Sequence, residues 1–417
     1  MKGSTAPGVS EETGRREALA GRAELALVLG FAVLARWICW DQRPPDMHLF
    51  LEPWFAHIVH YGPIQAFAHP FSNYEPAYLY LLAFGSLAHG WLEPMTIIKI
   101  LSVAGTAFMV WAVAELVQAA GAGRRGALLI AALPSVIVND ALLAQCDALW
   151  AGACALALAR MIGGRTLAAM IWCGIAISLK AQAAFIAPVM IGAMIGRRAP
   201  PWQWGVPAAV FVATLLPAWA AGWPLVDLLT VYAGQAAWVA IPGRLANPWM
   251  FGTVFADHAA RDLFVLGYVA AGLAAVGLAA AAARATRMPY VLIALAALAG
   301  TLLPFLLPKM LERYYFLGDV LTVALALTAR RPLATFAAAA VQTASILTHV
   351  TYVYFFYQPF PALIGVPFAG AAIVAMAIIA RPALAAQTKH IGGWLGAIKR
   401  RSKHPHVEAA RGRVAAG

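Results

Sequence analysis

Long apolar runs interrupted by short arginine clusters dominate this chain, and very few folds accommodate that alternation. Of its 417 residues, 62% are hydrophobic and 12% are charged. A soluble domain carries roughly 25% charged residues. Half that charge leaves too little polar surface to cover a soluble globule of this size. A soluble enzyme, a nucleic-acid-binding protein and a disordered chain are thereby disfavoured. The net charge of +12 does not change this, because the basic residues lie in short groups between apolar runs. That is the charge pattern of a polytopic membrane protein.

A span needs about 20 mostly apolar residues. On that criterion an all-α chain of about twelve spans is expected, near 23–40, 95–118, 126–143, 147–163, 166–182, 183–197, 203–222, 262–283, 288–308, 315–329, 333–352 and 362–380. The positive-inside rule orients them. With residues 1–22 as a cytoplasmic tail, inner loops carry Arg124–Arg125, Arg160 with Arg165, Arg197–Arg198, Arg284 with Arg287, and Arg330–Arg331. A basic tail over 381–417 ends on the same side and is expected along the inner membrane surface. This threading places 22 of the 30 basic residues inside.

Two long outer loops are expected, 41–94 and 223–261. In the first, Met47, Leu51, Trp54 and Ile58 repeat at helical spacing, and the run 78–90 is apolar but too short to span. Both read as helices at the outer membrane surface. No internal repeat stands out. Cys39, Cys146, Cys154 and Cys173 lack C-x-x-C spacing and read as small packing residues. The polar N-terminal stretch reads as a tail rather than a cleaved signal. No metal-ligand spacing, P-loop or DxD string is present, so no cofactor or metal is expected.

The informative residues collect on the outer side. Acids near hydrocarbon are usually paired or functional. Asp46 opens the first surface helix, as a helix cap or as a general base. Asp140 and Asp147 flank the turn NDALLAQCD, either as solvated caps or as a polar floor for a substrate. Eight basic residues defy the inside bias: Arg36, Arg43, Lys99, Lys180, Arg244, Arg261, Lys309 and Arg313. Lys309 and Arg313 would share one helical face, forming either ordinary ion pairs with Glu312 or a phosphate clamp. Lys180, beside Gln182, is a similar candidate. Tyr352 and several tryptophans read as an interfacial aromatic belt.

Taken together, these strings resemble the GT-C superfamily of membrane glycosyltransferases. The stretches are DMHLFLEPW from Asp46, FSNYEPAYLYLL from Phe71, Lys99 in IIKILS, PSVIVNDALLAQCD from Pro134, KAQAAFIAP from Lys180, and LPKMLERYYFLGD from Leu307. The likeness runs over about residues 20–380 and is nearest to bacterial mannosyltransferase-like proteins. It implies a GT-C-like catalytic domain over 23–380 and a polyprenyl-phosphate sugar donor. The acceptor would be a glycan or lipid, and the reaction would face outward at a bacterial inner membrane. The family's catalytic acid maps onto Asp46, with Asp41 as the alternative. Substrate contacts are expected at Asp41, Glu75, Asp140, Gln145, Asp147, Lys180, Gln182, Lys309, Glu312 and Arg313. The chain departs from the family at Leu311, where members often carry histidine. The competing class is a transporter or flippase, which would favour charge pairs at span centres and matching halves.

Overall fold

The computed structural model describes the backbone of residues 7–238, 245–251, 263–354 and 359–403. Side chains are described over the same stretches except 7–20, 236–238 and 386–403. Arg244, Arg261 and most of the span 239–262 therefore lie outside the described residues. The described chain is helical throughout, without a strand.

Six helices are long and apolar enough to cross a membrane: Pro94–Ala119, Pro201–Ala221, Phe264–Ala285, Pro289–Leu306, Pro332–Tyr354 and Phe360–Ala385. A seventh candidate is a broken one, Arg124–Ala132 followed by Pro134–Leu142, bent by 58°. Pro134 removes a backbone donor at the break, and Leu133 before it is extended, as a residue preceding proline prefers. The chain is thus a multi-pass membrane protein by the length and apolarity of its helices.

Several expected spans are shorter than threading suggests. We number the helices used below α1 (Pro7–Cys39), α2 (Glu52–Tyr61), α3 (Pro76–Ser86), α4 (Pro94–Ala119), α5 (Pro134–Leu142), α6 (Asp147–Ile162) and α7 (Thr166–Leu179). Later in the chain come α8 (Ala187–Gly196), α9 (Val206–Ala221), α10 (Leu225–Trp238), α11 (Phe264–Ala285), α12 (Pro289–Leu306), α13 (Phe316–Ala329) and α14 (Pro332–Tyr354). Helices α7 and α13 have 14 residues each. At 1.5 Å per residue each rises roughly 21 Å, short of the ~30 Å hydrocarbon core. One end of each, at Leu179–Lys180 and at Tyr315–Phe316, is therefore buried within the protein, where irregular backbone is tolerated because side chains rather than lipid surround it.

Small residues draw the bundle together. A Cβ on Gly192 or Gly196 would meet the carbonyl oxygens of Ala279 or Ala283 at 2.0 Å, so α8 and α11 touch backbone to backbone. This is the close small-residue packing that replaces hydrophobic drive in a membrane. Ala281 and Ala282 of α11 and Ala294 and Ala296 of α12 are fully buried in the same packing.

The first outer loop folds as its periodicity suggests. A π turn over Met47–Leu51 leads into α2, and Met47, Leu51, Trp54 and Ile58 are all buried. The second short helix is α3, of 11 residues. Helix α10 begins the second loop, and its Gln235 amide donates to the carbonyl of Asn73 in the first. The four cysteines are free.

Candidate functional site

The loop carrying Asp46 is fastened at its root by a cation. Lys99 of α4 donates through Nζ to the carbonyls of Cys39 (3.2 Å), Trp40 and Gln42 (2.8 Å). These carbonyls lie at and just beyond the end of α1, where positive charge is favoured. Lys99 is consumed there as a helix cap, which accounts for this cation without a ligand. Pro44 and Pro45 then stiffen the approach to Asp46.

Asp46 does not cap the helix that it opens. Its backbone is helical, at φ −61° and ψ −30°, and its side chain makes no cap bond. Its carboxylate turns to three donors from distant segments instead. Arg313 Nη1 lies 2.7 Å from Oδ2, Gln145 Nε2 donates to Oδ2 at 3.1 Å, and the Tyr352 hydroxyl donates to Oδ1 at 2.8 Å. Burial pushes the Asp46 carboxyl up, but the Arg313 guanidinium, the Tyr352 hydrogen bond and nearby Lys180 outweigh it and hold it below the usual carboxylate range.

Beneath this carboxylate sits a second one. Asp147 begins α6 and pairs with Lys180, which ends α7, at 2.5 Å. Asn139 donates to its Oδ2 at 2.8 Å and the Trp150 indole to its Oδ1 at 2.8 Å. Arg313 Nε approaches Asp147 Oδ2 at 3.9 Å, so one guanidinium spans both carboxylates. Glu312 adds a third, 3.0 Å from Arg313 Nη1. Tyr74 joins the two levels: its hydroxyl donates to Gln145 at 3.2 Å, and Lys180 Nζ stands 5.1 Å from its ring centre.

The two levels differ in access. The side chains of Asp147 and Lys180 are 2% and 3% exposed, whereas Asp46 and Arg313 keep 14% and 10%. The Asp147–Lys180 pair is sealed, and the Asp46–Arg313 pair keeps only a narrow exposed edge. A carboxylate and a guanidinium side by side at such an edge can accept a proton and bind an anion, respectively. Among the described residues, no group of three His, Cys, Asp or Glu side chains is placed to hold a metal ion.

Six expected residues thus meet: Asp46, Gln145, Asp147, Lys180, Glu312 and Arg313. The others form no hydrogen bond or ion pair with these six among the described residues. Asp140 is fully buried and bonds Arg36 of α1 at 2.7 Å and Thr106 of α4 at 2.7 Å, a link between helices rather than a floor. Asp41 is exposed. Glu75 is 1% exposed with neither oxygen hydrogen-bonded, and burial pushes it up to about 8. Gln182 is buried, and its Oε1 lacks a partner. The shared helical face of Lys309 and Arg313 is not formed. Leu307 is extended, Pro308 follows, and Lys309 adopts a left-handed φ of 59°, so the stretch is a loop.

Tyr352, Tyr74, Asn139 and Trp150 were not expected at the site. One signal for Tyr352 was legible: Ser345, Thr348, His349 and Tyr352 form a polar stripe at helical spacing along α14, and all four are buried. The other three gave no comparable signal. Comparison with protein families finds no matching family model, and comparison with curated proteins finds no match.

Proposed function

We propose that this protein is a membrane glycosyltransferase that moves a hexose, mannose by the resemblance, from a polyprenyl-phosphate donor to an acceptor hydroxyl. The reaction would lie on the outer side of a bacterial inner membrane. The observation that carries this reading is the Asp46–Arg313 pair, which keeps a narrow exposed edge beside the sealed Asp147–Lys180 pair.

The chemistry assigns one role to each group. An Asp46 oxygen takes the proton of the acceptor hydroxyl while that oxygen attacks the anomeric carbon. The bond from the anomeric carbon to the phosphate oxygen breaks, and its electron pair leaves with the lipid phosphate. Arg313, with Lys180 behind it, offsets the charge that develops there. A single displacement inverts the anomeric centre. Gln145 and Tyr352 orient the Asp46 carboxylate. The test is transfer in reconstituted membranes from synthetic polyprenyl-phosphate sugars, wild type beside Asp46→Asn. Transfer lost in the variant supports the reading, and equal transfer in both dismisses Asp46 as the base.

A second reading, a proton-coupled carrier of a lipid-linked substrate, has one observation in its favour. Asp319 is fully buried between α13 and α14, where Ser345 donates to it at 2.8 Å, and His349 lies one turn further with Nε2 lacking a partner. Acid and imidazole groups within a helix bundle are typical of proton pathways. Asp319→Asn would abolish transport in that case and leave glycosyl transfer intact in the first.

A further inference from the structure

The bent span leaves a groove between α1 and α4 that runs from Arg124 and Arg125 at one end to Arg36 and Thr106 at the other, where both side chains bond Asp140. Its first half, Arg124–Ala132, is a 3₁₀ helix, thinner than an α-helix, and it lies between α1 and α4. Small residues line the space, including Ala32, Ala107, Ala114 and Ala131. The result is an apolar cavity of about 600 Å³. Apolar side chains at its rim are open, Val33 at 69% and Trp111 at 43%. Such exposed surface is expected to meet lipid tails in a multi-pass protein.

One end of the groove is basic. Arg124 and Arg125 line it and also line a second cavity of about 790 Å³, which continues to Arg330 at the end of α13. Gly126 makes this junction possible, because a Cβ there would meet Leu327 at 2.5 Å. Arg124 is engaged by Glu115 at 2.5 Å. Arg125 and Arg330 are exposed and form no ion pair with a carboxylate among the described residues. Two uncompensated guanidinium groups thus stand at the mouth of an apolar groove.

We infer that this groove binds an anionic phospholipid, with its phosphate on Arg125 and Arg330 and an acyl chain along α1 and α4. The charge of the mouth and the apolarity of the wall match both parts of such a lipid. The site is separate from the Asp46 cluster. None of Asp46, Asp147, Lys180 and Arg313 lines the groove, and at its far end Arg36 and Thr106 are taken up by Asp140. The lipid here is therefore a resident one and not the sugar donor, and the inference does not depend on the transferase reading.

The test uses the full chain, reconstituted with phosphatidylcholine and phosphatidylglycerol, with retained lipid counted by native mass spectrometry. Wild type is expected to retain phosphatidylglycerol in preference to phosphatidylcholine. Replacing both arginines, Arg125→Gln with Arg330→Gln, should weaken retention roughly thirtyfold, at about 1 kcal/mol per arginine. Ala107→Trp, which fills the groove from an exposed position, should also abolish it, and Arg198→Gln should not. Retention without headgroup preference, or retention unaffected by Ala107→Trp, would overturn the inference. Displacement by polyprenyl phosphate but not by phosphatidylglycerol would make the groove a donor site instead.

Discussion

Arg313 Nη1 lies 2.7 Å from Asp46 Oδ2, across 267 residues of sequence. That contact joins the start of the π turn after the first helix to the loop between α12 and α13. It also sets the electrostatics of the site. The same guanidinium reaches Asp147 at 3.9 Å and Glu312 at 3.0 Å, so a single cation organises three acids.

Asp46→Asn should reduce sugar transfer by about 100-fold or more, the usual contribution of a positioned general base. The amide keeps the shape and can still accept from Tyr352. Expression should change little and the melting temperature should fall only modestly, because the ion pair with Arg313 is lost while Arg313 keeps Glu312 and Asp147 as partners. A loss of transfer far larger than the loss of folded protein separates chemistry from folding. Radiolabelled sugar transfer and a melting curve on the same preparation check both.

The buried pair Asp147–Lys180 should behave as a unit. Removing either partner alone, as Asp147→Asn or Lys180→Met, leaves a charge uncompensated in the interior and should cost about 3–5 kcal/mol. The double variant should cost less than the sum of the two. A double-mutant cycle measured by thermal or denaturant unfolding in detergent gives the coupling. Additive losses would show that the pair is not coupled.

Stability should fall as pH rises above the ordinary glutamate range, because of Glu75. Burial raises its carboxyl from 4.5 to about 8 in the fold, so the folded chain keeps a proton that the unfolded chain releases. Its contribution is fully present below pH 4.5 and is lost as pH rises toward about 8, with a slope of up to about 1.4 kcal/mol per pH unit. Asp46 acts oppositely: its depressed carboxyl stabilises the fold above the usual carboxylate range and loses that effect as pH falls through its own lower value. Glu75→Gln should flatten the first slope and leave the acid limb in place, as read from unfolding across pH.

Orientation can be measured directly. In a cysteine-free background, His69→Cys should react with an impermeant reagent added outside intact cells, and Arg125→Cys should not. Both positions are exposed in the fold, so accessibility depends on the side of the membrane alone. The reverse labelling pattern would invert the topology.

The sequence alone determined the helical, multi-pass character of the chain. Apolar runs in lipid must satisfy their backbone internally, and proline, glycine and arginine mark where they stop. It also marked the face of the first outer helix, since Met47, Leu51, Trp54 and Ile58 obey a local 3.6-residue period. Five of the residues that meet at the site, Asp46, Asp147, Lys180, Glu312 and Arg313, were legible because charge near hydrocarbon is costly and therefore informative, whereas uncharged Gln145 came only with the resemblance. Only the tertiary structure decided their partners. Lys99 and Lys180 look alike in sequence, yet one caps α1 and the other neutralises Asp147. Asp140 and Asp147 sit seven residues apart in one string, yet the π turn over Val138–Leu142 sends one to Arg36 and the other to Lys180. The physical reason is range. Helix period and hydropathy act within a few residues, whereas a buried ion pair is chosen by which helix ends stop short and meet inside the bundle.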